Sequence, residues 1–557
     1  MVMVSPWKRA LLCSGLLGAV LLMALSLRPA NRALAQTPGP VVGAPASPTR
    51  VDLRKVQPGE SRPRPAKPFL HPQGQAKLDE EKAAAESLGP GTGIQHAAVA
   101  AAAAGPLTPT TGTGFDGINS AESACGCYPP DGAIAVGPNH VVAAVNTAFK
   151  IWNKSGGLLA GPIALGSFFN ANPNCLANDS DPSADYDAAA GRFILETLTY
   201  DSAYNSSMCI AVSLTGDPTG SWFVYAFPVT PANDLLDFPH IAIGSDAIYL
   251  AGNQFQNGST FTGAQVYAYN KSQMYAGQPA ASLSYNVGNN AAGHAADTLY
   301  PARAVGTAGT AYFTAADNCN CSSISLWKWS TPFGTSSFTL QGGVTVTAYS
   351  QPPNALQPGS RAGTINTNDT RELGAHWFNG TVYGAHTIGC NPGLGTVACV
   401  QWHQLGNLDG APTLVQQGTL AGDGQYRFYP NLAVNSSGDM TLGYAYSSST
   451  EYAGIRYTGR LAGDPAGTLQ PEGVVKPGEA SVNGGRYGDY AGEVVDPDGC
   501  TVWHFEEYAK SGYLWGTWAG SFRFTGCVAA PTPDFSIAAS PASQTVTAGA
   551  STSYTAT

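Results

Sequence analysis

Between about residue 106 and residue 528 the chain alternates short apolar or aromatic runs with clusters of Gly, Asn, Asp and Pro. That texture predicts strands separated by turns, because half-buried strands need short apolar runs and tight turns need residues that tolerate unusual backbone angles. One element recurs: a turn pair, often with Pro, then a short apolar run closed by Gly, Asn or Asp. Its first copy is Pro130-Asp131-Gly132-Ala133-Ile134-Ala135-Val136-Gly137, and later copies begin at Ser180, Asp237, Leu299, Glu372, Phe428 and Asp489. Aligned on the third residue, the copies fall at 132, 182, 239, 301, 374, 430 and 491, spaced by 50 to 73 residues. A unit of this length with about four short strands is a propeller blade. Each blade buries its faces only against its neighbours, so the array has to close on itself. The expected fold is all-β, a seven-bladed β-propeller, with six or eight blades left open by the degenerate copy at 372–379. A pair of β-sandwiches is the rival, and it gives no reason for a repeated motif.

The flanking segments differ. Lys8 and Arg9 precede an apolar stretch over 11–27 and the small-residue site Ala33-Leu34-Ala35, which predicts a secretory leader over 1–35. Residues 36–105 are rich in Pro, then in Ala, with a short polar stretch at 77–88 suited to one helical segment. This composition predicts a mobile, disordered linker, because it offers little apolar surface to bury. The propeller domain is then 106–528, and a separate segment follows at 533–557.

Composition narrows the class. Charged residues are 11% of 557, against 66 Gly and 25 Tyr, a profile of turn-rich extracellular β-proteins. The net charge of −10 with no basic cluster in the domain excludes a nucleic-acid partner. Outside the leader there are ten cysteines, an even number that reads as disulfides in an exported chain. Proximity favours Cys175 with Cys209, Cys390 with Cys399, and Cys500 with Cys527. Cys125, Cys127, Cys319 and Cys321 form two C-x-C pairs whose pairing stays open, disulfides being favoured over a zinc site.

Several runs carry a resemblance. The stretch from Pro130 to Val142 is followed by Asp181-Pro182, Gly191-Arg192-Phe193, Cys209-Ile210-Ala211-Val212-Ser213 and Asp237-Phe238-Pro239-His240. Arg486-Tyr487-Gly488-Asp489-Tyr490 and Glu506-Glu507-Tyr508 come near the end. With these runs the chain resembles a family of exported bacterial β-propeller proteins without a settled activity. Residues 533–557 resemble the first strands of a bacterial Ig-like repeat, and about 25 residues are too few for a sandwich of roughly 100, so this segment is expected to be truncated.

Candidate chemistry lies where the repeated motif would converge at one mouth of the central channel. Asp131, Asp237, His240, Arg303, His376 and Asn431 are the expected ligand-binding set. Asp before Pro or Gly is equally a turn former, which is the plainer reading of any one of them. Arg486, Asp489, Glu493 and Glu506 form the densest charged patch, and two carboxylates with an arginine suit glycoside hydrolysis. An Arg–Asp lock between the last and first blades is the structural alternative. Asp179, Asp181, Asp185 and Asp187 offer oxygen ligands for calcium, the one cofactor considered, although Ala184 and Ala190 break the EF-hand pattern. The chain has no H-E-x-x-H, no G-x-S-x-G elbow and no phosphate-binding glycine loop.

The expectation is a secreted or cell-surface monomer that binds polysaccharide or another surface ligand without catalysis, and that has no membrane segment once the leader is gone. The alternative is an extracellular glycan-degrading hydrolase or lyase with its site at the channel mouth.

Overall fold

The computed structural model describes residues 39–56, 70–88 and 108–528, apart from 127, 305–309, 320, 360–362, 422 and 483–484. It also describes the pairing of Ala539–Ser540 with Thr555–Ala556. The expected leader, and all of 533–557 beyond that pairing, lie outside the described residues. Among the described residues no helix is long and apolar enough to cross a membrane.

Seven antiparallel four-stranded units follow one another along the chain. The innermost strands, in order, are Ala133–Val136, Asn178–Asp187, Asp234–Ile243, Tyr300–Pro301, Glu372–Phe378, Tyr426–Val434 and Gly492–Val495. All seven copies of the motif therefore mark the inner edge of a blade, including the degenerate fifth. The protein is a seven-bladed β-propeller. Blade 7 is completed from the other end of the domain: Thr110–Asn119 pairs antiparallel with Gly516–Arg523 as its outermost strand. This closes the ring with backbone hydrogen bonds, so no blade is left with a bare inner face.

The blades are held apart and together by aromatic packing. Trp222 lies among residues of blades 1 and 2, Trp327 and Trp329 among blades 3 and 4, Trp402 among blades 5 and 6, and Trp515 among blades 7 and 1. All five are fully buried, and each such side chain stabilises the fold by about 1.5–3 kcal/mol or more.

The motif has a stereochemical reason. Within or just ahead of each innermost strand one residue lies in the left-handed region: Asp131, Asp181, Phe238, Thr298, Asn368, Tyr429 and Gly488, with φ between 44° and 59°. This conformation turns the backbone N–H away from its own strand ladder, and a buried N–H needs a partner. Several find it on the preceding blade. Asp181 N donates to Asn146 Oδ1 (2.7 Å), Phe238 N to Asp181 Oδ2 (3.0 Å), Thr298 N to Asn253 Oδ1 (2.7 Å) and Tyr429 N to Thr387 Oγ1 (3.0 Å). Between the last and first blades, Asp489 N donates to Asp131 Oδ1 (2.8 Å). The acidic and amide residues of the motif thus act as latches from blade to blade.

The linker expectation is corrected for the residues described. Val41–Ala46 pairs with Ala280–Asn286 as a fifth strand of blade 3, and Thr49–Asp52 pairs with Ser221–Pro228 as a fifth strand of blade 2. Composition misses this because an added edge strand is held by its backbone and needs few apolar side chains. Gln75–Glu86 is a helix, close to the helical stretch expected at 77–88. Its buried residues Leu78, Lys82 and Ala85 share one face.

Four disulfides are present: Cys175–Cys209, Cys319–Cys321, Cys390–Cys399 and Cys500–Cys527. Cys125 is also disulfide-bonded, and Cys127 lies outside the described residues. This oxidation state fits an extracellular protein.

Candidate active site at the channel mouth

The expected ligand-binding residues do converge, but they fill the axis. Arg303, on a short strand parallel to the inner strand of blade 5, reaches across the channel. Its guanidinium donates to the Ala184 carbonyl of blade 2 (3.0 Å) and the Glu493 carbonyl of blade 7 (3.4 Å). The His240 ring stacks on Tyr300 at 4.4 Å and meets Tyr490 edge-on at 4.6 Å. Burial lowers His240 and His376 alike to about 3, with Arg303 adding to both, so both rings are neutral at physiological pH. Asn431 donates to the Ala491 carbonyl at 2.6 Å, and Asp237 is buried within the influence of the Arg371 charge. Asp131 accepts from Asn146 Nδ2 (2.6 Å) as well as from Asp489 N. Five of the six are buried and Arg303 is partly buried; Asp131 and Asn431 bond between blades, whereas His240 Nε2, Arg303 Nε and both ring nitrogens of His376 have no hydrogen-bond partner among the described residues.

The four expected catalytic residues separate into two groups. Arg486 and Asp489 pair with each other, and Asp489 Oδ1 also accepts from Asn368 Nδ2 (3.2 Å). Glu493 and Glu506 instead flank His504 between blades 6 and 7. His504 Nδ1 lies 3.0 Å from Glu493 Oε2, and Nε2 lies 2.8 Å from Glu506 Oε2, with all three side chains shielded from solvent. Glu493 further accepts from Thr441 Oγ1 (2.6 Å) and Gly443 N (2.8 Å). Gly443 has to be glycine here, since a Cβ at that position would collide with the His504 ring. Burial alone would lower His504; hydrogen bonds to Glu493 and Glu506 reverse this and raise it to about 9. Burial pushes Glu506 up to about 7. A charged histidine clamped between two acids and sealed by two blades is a structural element, so these four residues do not form one site.

The expected calcium ligands are also dispersed. All four lie on the inner strand of blade 2, where alternate residues face opposite sides and a bulge separates Ser180 from Ser183. Asp187 is bound by Lys271 Nζ (2.9 Å) and Tyr275 Oη (2.8 Å), while Asp181 latches blade 3. Among the described residues they do not gather within ligand reach of one another. The one such grouping, His294 with Asp317 and Cys319, has its sulfur committed to a disulfide.

A further cluster lies where the segments leading into blades 4 and 5 meet. Asp369 is fully buried and held in a fork by Arg371, with Nε on Oδ1 and Nη2 on Oδ2, each at 2.7 Å. Asn318 Nδ2 donates to Oδ2 at 2.9 Å. Burial by itself would raise the Asp369 carboxyl, but Arg371 and His71 overcome it and hold the group well below the usual carboxylate range. Asp297 accepts from Thr298 Oγ1 at 3.0 Å. Burial, reinforced by the Asp369 charge, pushes Asp297 up to about 6. Two neighbouring acids are thus driven in opposite directions, one kept ionised and the other ready to hold a proton near neutrality.

Over this pair lies the chain's own N-terminal arm. His71 Nδ1 accepts from Gln73 N (3.2 Å), which leaves Nε2–H to donate to Asp369 Oδ2 at 2.8 Å. Gln73 Nε2 donates to the Asn318 carbonyl. Lys82 Nζ uses its donors on the Pro352 carbonyl (2.8 Å), Thr367 Oγ1 (3.0 Å) and Asn354 Oδ1 (3.3 Å).

Sequence reading missed Asp297, Asp369, Arg371, His71 and Lys82. Asp297 and Asp369 stand ahead of the motif copies at Leu299 and Glu372, in the segments where the left-handed residue also shifts forward, to Thr298 and Asn368. Aligning on the turn-forming Asp, as in Asp131, Asp181 and Asp237, rather than on the apolar run would have exposed them. Lys82 had a signal of its own, a charged residue inside the i, i+4, i+7 stripe Leu78, Lys82, Ala85.

No family model matches the chain, and none of the curated proteins matches it in sequence. Among solved structures it is similar to a protein of unknown function from Dyadobacter fermentans, at 15% identity and a TM-score of 0.37, over 62% of this chain and 94% of that one. It is also similar to a GH43 endo-arabinanase from Bacillus licheniformis, at 15% identity and TM-score 0.28, over 54% and 99%. A GH43_1 enzyme from Xanthomonas citri, complexed with xylotriose, is similar at 13% identity and TM-score 0.28, over 61% and 96%. At TM-scores this low, site and reaction rest on the chain's own geometry.

Proposed function

We propose that the protein is an extracellular glycan-degrading hydrolase whose acid and electrostatic groups are Asp297 and Asp369. The observation that supports this reading is the buried Asp369 carboxylate, forked by Arg371 and completed by His71 of a separate arm, beside an Asp297 that burial raises to about 6. Environments that drive two acids apart are what acid–base chemistry at a sugar bond requires. Protonated Asp297 donates to the leaving glycosidic oxygen as its bond to the anomeric carbon breaks. Ionised Asp369 opposes the positive charge that develops on that carbon, and Arg371 fixes its orientation. Water then adds to the anomeric carbon and returns its proton to Asp297.

The non-catalytic adhesion role expected from the sequence has less support, since five of the six residues chosen for it are buried and the sixth, Arg303, is bonded to blades 2 and 7. The test is release of new reducing ends from plant, fungal and bacterial polysaccharides between pH 5 and 6, before and after limited proteolysis. Release by the wild type and its loss in Asp297→Asn support the reading. No release in either state, or full activity in Asp297→Asn, overturns it.

A further inference from the structure

Residues 70–88 lie across the mouth, and their contacts come from successive blades. Leu70 packs into the cluster that holds Tyr200, Met208 and Leu235 of blades 2 and 3. His71 and Gln73 hold Asp369 and Asn318, next to blades 5 and 4. Lys82 and Glu86 bind the 352–367 connection between those blades, Glu86 accepting from Asn354 N at 3.1 Å. The arm has a polar outside and a donor-bearing underside: Asp79, Glu80 and Glu86 are exposed, whereas His71 and Lys82 are about 5% exposed or less.

The propeller side is the electrostatic complement. Asp131, Asp237, Asp297, Asp369 and Asp489 lie in the mouth segments, with Arg303, Arg371 and Arg486 among the cations that interact there. The arm supplies an N–H on Asp369 and an amine seated on three oxygens. Every other hydrogen bond to the Asp369 carboxylate comes from the propeller itself, through Arg371 and Asn318. Burial lowers Lys82 to about 7 even with Asp369, Glu86 and Asp79 opposing it, so the amine is held through its three acceptors more than through its charge. The cradle therefore fits an amine closely.

We infer that segment 70–88 is a built-in occupant of the substrate site, an autoinhibitory cap, and that the glycan replacing it carries free amines, as a de-N-acetylated amino-sugar polymer does. This rests on the reading of the mouth as the glycan site and adds the substrate class to it. An amino group takes the place of Lys82 Nζ on the Pro352, Asn354 and Thr367 oxygens, and a sugar hydroxyl takes the place of His71 on Asp369. Three converging oxygens favour an amine over an N-acetyl group, whose single N–H cannot meet them all.

The experiment uses the full chain with protease recognition sequences placed within 57–69 and 89–107, so that cleavage frees 70–88. Binding of glucosamine hexamer and N-acetylglucosamine hexamer is measured by calorimetry before and after cleavage. The expected result is tight binding of the amine form only after cleavage, at least tenfold tighter than the acetylated form. Addition of a synthetic 70–88 peptide restores the block, and the same peptide with Lys82→Met and His71→Ala does not. Folding of the cleaved protein is checked by its thermal transition. Equal binding of both hexamers, or amine binding unchanged by cleavage, overturns the inference. Reducing-end release is read separately. Amine-selective binding without release supports the inference while it overturns the hydrolase reading; cleavage of neutral glycans by the capped chain does the reverse.

Discussion

Two buried acid clusters lie within this propeller, and they differ in what completes them. Between blades 6 and 7, the donors to Glu493 and Glu506 come from the blades themselves: Thr441, Gly443 and His504 supply them, and no donor comes from the arm. At the mouth, Asp369 is completed partly by Arg371 and Asn318 and partly by His71 of the arm. Both are shielded from solvent. Burial and displaced titration therefore do not separate structure from chemistry. The origin of the partners does: a cluster satisfied by the scaffold has nothing left to offer a ligand, whereas one satisfied by a removable segment does.

The comparison predicts different consequences for the two clusters. The largest effect is on turnover. Asp297→Asn should lower the rate of glycan cleavage by about 10²–10⁴-fold, the usual contribution of a positioned proton donor, with little change in the thermal transition. His504→Leu should act the other way. It strands two buried acids and should cost about 3–5 kcal/mol of stability, read as a shift of the denaturation midpoint. If His504→Leu leaves stability intact while abolishing activity, the assignment of the two clusters is reversed. Serine at Cys500 and Cys527 removes a bond within the last blade and should cost about 2–4 kcal/mol.

The pH responses sharpen the contrast. Cleavage should fall as pH rises and Asp297 loses the proton it must donate; with the arm in place, burial and the Asp369 charge raise that group to about 6. The His504 cluster affects stability instead. His504 is raised above its ordinary value, so its contribution is full below about 6.5 and is lost as pH rises through about 9. Glu506, raised to about 7, adds loss in the same direction between about 4.5 and 7. This cluster should therefore lower the denaturation midpoint as pH rises from about 4.5 to 9, and His504→Gln should flatten that part of the profile. The smallest effect is expected at the exposed edge: Val42→Lys, on the strand added to blade 3, should change stability by less than about 0.5 kcal/mol.

The propeller was legible because its repeat is a local necessity. Each blade needs one left-handed residue and one latch before its inner strand, and Asp-Pro, Asp-Gly and Phe-Pro pairs announce them. The three disulfides paired by proximity, Cys175–Cys209, Cys390–Cys399 and Cys500–Cys527, are present for the related reason that their partners lie within a blade or beside it. The arm was not legible. Its strands at Val41–Ala46 and Thr49–Asp52 join blades more than a hundred residues away through backbone groups that every sequence possesses. The mouth pair was half legible. Asp297 and Asp369 look like ordinary turn residues in sequence, and only the meeting of two blades with Arg371 and Lys82 sets their charge states.

The strand that completes blade 7 has a consequence for the making of this protein. Thr110 and Arg523, bonded across that seam, are 413 residues apart in the chain. The first strand of the seven four-stranded blades to emerge during synthesis or export is thus paired with the last. Until the final hairpin arrives, blade 7 has no outer edge and blade 1 has no neighbour on that side, so the circle is an open arc with two sticky ends. Pairing at such separation is slow, and an open arc exposes strand edges that invite association between chains. The interval between emergence of blade 1 and arrival of Gly516–Arg523 is therefore when this chain most needs a helper that shields edges. A truncation before residue 516 would prolong that interval indefinitely.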